Sequence, residues 1–261
     1  MTEITLQYCS KALRRHVTVW MLLPFDTFHP DRCPAPPYRT LYFLNGYLAN
    51  ARQILDTTTL CLWAQRYGLA VVLPDGENSF YVDHPERNAL YGTYVAEELV
   101  QVTRQLFPLS DRREDTFLGG ISMGGFGALM QGMRHPDTFS RIAALSPAAQ
   151  LYEMVRQNCL PLSEVEAAVG GEEQYLREYD PGSLILRAHQ SGRKLPALFF
   201  CCGTEDRLTY RVDRALYEKL KKAGVPVRYS EGPGMHDAFY WNEVIPEALE
   251  FLVSGASKEE L

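Results

Sequence analysis

Leu118-Gly119-Gly120-Ile121-Ser122-Met123-Gly124-Gly125-Phe126-Gly127-Ala128 sets a serine among glycines where an apolar strand should meet a helix. Thr116, Phe117 and Leu118 read as the end of a buried strand, and Ala128, Leu129, Met130 and Met133 as the apolar side of the following helix. The core of the stretch, Gly120-Ile121-Ser122-Met123-Gly124, fits G-x-S-x-G, in which a nucleophilic serine sits on a sharp strand-to-helix turn. Such a turn strains the serine backbone and crowds the residues two positions away. Glycine there removes the Cβ that would clash. The geometry pushes Oγ out of the fold and aims the next backbone N–H at the same space. A phosphate-cradling loop would need a lysine after the glycines, and a dinucleotide fold would need G-x-G-x-x-G; neither is present.

A serine hydroxyl is a weak nucleophile until a base takes its proton and an acid orients that base. Beyond Ser122 the histidines are His135, His189 and His236. His135 precedes Pro136 near a helix end and suits a cationic C-terminal residue. His189 lies in the polar run from Arg187 to Lys194. His236 sits in the turn-forming run Gly232-Pro233-Gly234-Met235-His236-Asp237, after a strand over 225–230. That is where a loop at the carboxyl edge of a parallel sheet would carry a base. The acid should leave the preceding strand, Ala197 to Cys202, whose exit is Gly203-Thr204-Glu205-Asp206-Arg207-Leu208. Asp206 is favoured over Glu205, with a helix N-terminal polar role as its competing reading.

Catalysis of acyl transfer also needs donors aimed at a developing oxyanion. One is the N–H of Met123, directly after the serine. The other should come from an early loop after a strand, and Thr40 to Leu44 followed by Asn45-Gly46-Tyr47 supplies Tyr47 N–H. Taken alone, Asn45-Gly46 is an ordinary turn signal.

Composition excludes several classes. With 46% of 261 residues apolar the chain can bury a full core, and at this length it is read as one domain over 1–261. A net charge of −6 argues against nucleic acid as a partner. The first residues resemble no signal peptide, and no run approaches the roughly 20 apolar residues that span a bilayer. Cys9, Cys33, Cys61, Cys159, Cys201 and Cys202 match neither a zinc site nor a redox pair, so reduced thiols and a cytoplasmic location are expected. No cofactor and no metal are expected. The expected partner is a small-molecule ester, with no nucleic acid and no membrane; self-association into a homo-oligomer is left open.

Strand-like runs at 4–8, 16–23, 40–44, 69–73, 115–119, 142–146, 196–202 and 225–230 alternate with helical segments. This is the rhythm of an α/β fold with a mostly parallel central sheet and helices on both faces. Phe25 to Tyr38 carries four prolines and is a loop; the tail from Ser254 to Leu261 is expected to fray. Residues 150–193 interrupt the rhythm with helical spacing rich in glutamate, which suggests a small helical cap inserted over the pocket. Tyr47, Phe80, Tyr81, Tyr91, Tyr94, Phe239, Tyr240 and Trp241 gather where loops should converge. Tyr47 and Tyr81 follow strands most directly and are the aromatics expected to line an acyl or alcohol pocket.

These pieces together resemble the esterase D family of α/β-hydrolases, which includes S-formylglutathione hydrolases, tributyrin esterases and some feruloyl or acetyl esterases. The resemblance is carried by Leu41 to Gly46, Val72-Leu73-Pro74-Asp75-Gly76, Ser79 to Asp83, Tyr94 with Glu97-Glu98-Leu99, Gly119 to Ala128, Cys202 to Asp206, and Gly234 to Asp237. It implies a serine carboxylesterase in which Ser122, Asp206 and His236 form a triad, Tyr47 and Met123 supply the oxyanion donors, and Tyr81 and Gly46 contact the substrate. Asn45 departs from the pattern, standing where the family has a histidine before glycine; the change bears on local hydrogen bonding more than on catalysis. Competing readings are thioester hydrolysis on S-formylglutathione, transfer of the acyl group to an alcohol, and a non-catalytic binding module on the same fold.

Overall fold

The structure, a computed structural model, describes residues 1–30 and 33–254. Its centre is an eight-stranded sheet in the order β1-β2-β4-β3-β7-β8-β9-β10. The strands are β1 (Thr2–Ser10), β2 (Arg15–Leu23), β3 (Thr40–Leu44), β4 (Ala70–Pro74), β7 (Thr116–Ile121), β8 (Arg141–Leu145), β9 (Ala197–Gly203) and β10 (Arg228–Gly232). The short hairpin β5 (Asp83–His84) with β6 (Ala89–Leu90) stands apart from the sheet. β2 runs antiparallel to both of its neighbours, and every pairing from β4 to β10 is parallel. This is an α/β-hydrolase sheet.

Parallel strands covered on both faces are apolar, as in β3, β4 and β9, whereas the edge strand β10 is polar and partly exposed. In β3, Tyr42 and Leu44 face one layer while Leu41 and Phe43 face the other; in β8, Ile142 and Ala144 oppose Ala143 and Leu145. The first layer holds α4 (Leu99–Leu106), α5 (Met123–Arg134), α9 (Pro181–Gln190) and α10 (Tyr210–Lys222). The second holds α1 (Ala51–Thr57), α2 (Leu60–Tyr67) and α11 (Ala238–Val253). α3 (Tyr91–Thr93) leads through a π turn at Tyr94–Glu98 into α4.

Two boundaries depart from the sequence reading. β10 begins at Arg228 rather than at 225, because Val225 N–H still bonds Leu220 O at the end of α10 and Pro226 has no N–H to give a ladder. The helical stretch expected over 150–193 becomes α6 (Leu151–Arg156), α7 (Leu162–Val169), α8 (Glu172–Glu178) and α9. α9 is no extra: it packs on α5, with Ile185 fully buried in the first layer. Only α6 to α8 add to the basic fold. Residues 31–32 of the proline-rich loop and 255–261 of the tail lie outside the described residues.

Close approach of α5 to the sheet depends on glycine at two places. A Cβ on Gly124 would lie 2.1 Å from Leu44 O, and one on Gly120 would lie 2.5 Å from Gly124 carbonyl carbon. Both obstacles are backbone, so neither can swing away. The tight packing fixes the turn at Ser122 between β7 and α5.

Candidate active site

Ser122 occupies φ 57°, ψ −116°, a left-handed region that a residue with a Cβ rarely adopts. The surroundings over-determine it. Its N–H bonds Leu145 O (2.9 Å), and its carbonyl accepts from Phe126 N (2.9 Å) and Ala148 N (3.1 Å). Held this way, Oγ lies 3.0 Å from His236 Nε2. His236 Nδ1 lies 2.6 Å from Asp206 Oδ2. The structure therefore brings Ser122, His236 and Asp206 into one hydrogen-bonded chain.

The loop after β9 and the loop after β10 place the last two members by packing backbone on backbone. Thr204 N–H donates to Gly232 O (2.8 Å) and Glu205 N–H to Gly234 O (3.0 Å). A Cβ on Gly203 would meet Gly234 O at 2.3 Å. Asp237, next to the histidine, caps α11 by accepting from Phe239 and Tyr240 N–H. The edge of Trp241 meets the imidazole (centroids 5.3 Å, 85°), and its Nε1–H donates to Ser146 Oγ (3.2 Å).

Asp206 meets both duties weighed from sequence. Its Oδ1 accepts from the N–H groups of Leu208 (2.8 Å) and Thr209 (2.9 Å), closing the turn into α10. Its Oδ2 accepts from Thr209 Oγ1 (2.7 Å) as well as facing His236. Burial works against its charge, but the bond and attraction to His236 and the bonds from Thr209 outweigh it and hold its pKa at about 2. Glu205 is exposed. Sequence reasoning passed over Thr209; the signal was a threonine three residues after an aspartate, an Asx-turn spacing.

Met123 is the first residue of α5, so its N–H has no partner within the helix and opens beside Ser122. Gly46 lies against the nucleophile: a Cβ there would be 3.5 Å from Ser122 Cβ. Tyr47 follows it directly in the chain. Tyr47 leans on Phe80 (centroids 5.6 Å), and its hydroxyl donates to Glu164 Oε2 of α7 (3.0 Å).

Asn45 takes over local bonding at the position where the resemblance expects histidine. Its Nδ2 donates to Gly46 O (3.0 Å) and Ala49 O (2.8 Å), while Oδ1 accepts from Gly76 N–H (2.9 Å). The structure corrects the reading of Tyr81 as a substrate-lining aromatic. Phe80 and Tyr81 both take positive φ, which turns the Tyr81 ring inward against Gly76 and Gly127, where it is fully buried. Its hydroxyl donates to Asn45 O (2.9 Å), so it supports the Asn45-Gly46 loop from beneath. His135 closes the far end of α5, and burial lowers its pKa, favouring the neutral ring over the expected cation.

The described residues contain no helix long and apolar enough to cross a membrane. All six cysteines are free.

Comparison with known proteins defines the class. The model of the "Putative esterase" family matches residues 10–252. An acetyl esterase of Caldicellulosiruptor saccharolyticus is 33% identical over 264 residues, spanning 97% of this chain and 98% of its own. Among solved structures, the fluorophosphonate-binding serine hydrolase FphF of Staphylococcus aureus superposes with a TM-score of 0.86 at 27% identity, over 97% of this chain and 99% of its own. The S-formylglutathione hydrolase FrmB of the same organism gives 0.84 at 28%, with the same coverage. The chain belongs to this esterase family of the α/β-hydrolases. It is a carboxylic ester hydrolase.

Proposed function

We propose that the protein is a serine esterase that cleaves short-chain and aromatic acyl esters through an acyl-enzyme. The observation that carries this reading is the chain Ser122 Oγ–His236–Asp206 at 3.0 and 2.6 Å, at the end of a strained strand-to-helix turn. His236 Nε2 takes the Ser122 proton as Oγ attacks the ester carbonyl, then delivers it to the leaving alcohol. Asp206 stays ionised and stabilises the imidazolium. The N–H groups of Met123 and Tyr47 receive the oxyanion, and Gly46 lets the substrate approach the backbone. Water, activated by the same histidine, releases the acid. α6 to α8 serve as a cap, tied to the Tyr47 loop through Glu164.

The surroundings favour an uncharged substrate. Leu48, Leu162, Met235 and Phe239 are exposed apolar side chains on the segments nearest the site. The same segments carry Glu164, Glu205 and Asp237 against Arg207. A substrate bearing carboxylates, as glutathione does, would meet like charge there. The likeness to FrmB makes S-formylglutathione the competing substrate. The test pairs labelling by a fluorophosphonate probe, expected in the wild type and absent from Ser122→Ala, with kcat/KM for p-nitrophenyl acetate and S-formylglutathione. A labelled Ser122→Ala would remove the nucleophile assignment; a large preference for the thioester would replace the substrate assignment.

A further inference from the structure

Behind the acid of this chain lies a second carboxyl group that the reaction does not use. Asp213, in the first turns of α10, is fully buried, and neither of its oxygens makes a well-formed hydrogen bond. It faces Cys202 of β9, Thr209 and the Asp206 carboxylate. Cys201 on β9 and Tyr229 on β10 complete the titratable groups around it, and no lysine, arginine or histidine acts on it among the described residues. Its sequence neighbour Arg214 turns outward to Glu218 and Glu231. Two carboxylates cannot both ionise cheaply in such a place, and the bonds from His236 and Thr209 go to Asp206. Burial and the Asp206 charge raise the pKa of Asp213 well above the usual carboxylate range, against weaker lowering by Cys202 and Thr209.

We propose that Asp213 is carried as the neutral carboxylic acid and positions Asp206 through Thr209 and Cys202. Thr209 Oγ1 donates its proton to Asp206 Oδ2 and keeps its lone pairs for a donor behind it. Cys202 Sγ bridges the same two residues, 3.3 Å from Thr209 Oγ1 and 3.6 Å from Asp206 Oδ2. The acid proton of Asp213 points into that pair. Donors then converge on Asp206 from both sides: Asp213 through Thr209 from the core, and Ser122 through His236 from the site. An ionised Asp213 would set a second negative charge beside Asp206 with nothing to offset it.

The inference rests on the triad reading, so its first test does not use activity. A carboxyl protonated in the fold and ionised when unfolded makes the native state bind one more proton, so stability falls as pH rises above the unfolded value near 4. Asp213→Asn keeps the shape and a donor but cannot ionise. Above about pH 5 the folding equilibrium constant of the wild type, divided by that of Asp213→Asn, should fall with rising pH in urea unfolding, at a limiting slope of about tenfold per pH unit until Asp213 ionises in the fold. Parallel pH profiles would overturn the neutral assignment. The second test addresses positioning. Asp213→Asn should keep kcat, KM and the acid limb of kcat/KM. Asp213→Leu should lower kcat about tenfold or more at unchanged KM and move the low-field proton resonance of His236 Nδ1–H. Wild-type kcat and resonance in Asp213→Leu would overturn it. Should that variant not fold, Thr209→Val takes its place with the same two outcomes. Failure of Ser122→Ala to lose activity would sink the triad reading itself, and leaves the stability measurement untouched.

Discussion

Ser122 holds a backbone angle that its neighbours enforce, and removing its hydroxyl leaves those neighbours in place. Ser122→Ala should therefore fold normally and lose about 10⁴- to 10⁶-fold in kcat. More than a tenth of wild-type activity in a clean preparation would remove Ser122 from the mechanism. The acid is a matter of one atom. Because Asp206 Oδ2 faces His236 while Glu205 points to solvent, Asp206→Asn should cost roughly 10⁴ in kcat, and Glu205→Gln should change little. A more damaging Glu205 change would exchange the two roles. The Asp206 charge also supports the fold: with its pKa lowered to about 2, its contribution is present above the unfolded value near 4 and is lost as pH falls toward 2. At this scale the sequence was legible where glycines betray strain and where an acid ends a strand. It was not legible at Tyr81, whose inward turn depends on positive φ at two bulky residues and on the space left by Gly127.

Elements show a different limit. The inner parallel strands announced themselves because both of their faces are covered, giving apolar runs such as β3, β4 and β9. The separation of α9 from α6 to α8 within residues 150–193 could not be read from periodicity, since all four share helical spacing and differ in what they pack against. The β7–α5 junction offers the sharpest test of element packing. Gly124→Ala would drive a Cβ into Leu44 carbonyl at 2.1 Å, whereas a Cβ on Gly232 would find nothing within 4 Å. Thermal or urea unfolding should show Gly124→Ala destabilised by about 1–3 kcal/mol or more, with Gly232→Ala close to wild type. Equal stabilities would mean that α5 can lift from the sheet, and the turn at Ser122 would then be less rigid than described.

At the scale of the whole molecule, the proposed substrate class sets how rate depends on acyl length. Each methylene that fits the pocket adds about 0.8 kcal/mol of transfer energy. A series of p-nitrophenyl esters from acetate to palmitate should show kcat/KM rising through the short chains and then breaking downward where the acyl group meets the wall. A continued rise through the long chains would describe a lipase and overturn the proposed substrate class.

The three groups of the site come from the ends of β7, β9 and β10, far apart along the chain and adjacent only once the sheet is complete. Parallel pairing of β3 with β7 already closes a loop that contains α1, α2, β4 and α4. Non-local pairing of this kind is slow because loop-closure entropy must be met before contacts reward it. Refolding from urea should therefore regain helical circular dichroism first and hydrolysis of p-nitrophenyl acetate last. A burst of activity that keeps pace with the helices would show a site able to assemble without its sheet. Catalytic competence in this chain is thus a late event in its folding, and activity is a stricter reporter of the native state than secondary structure.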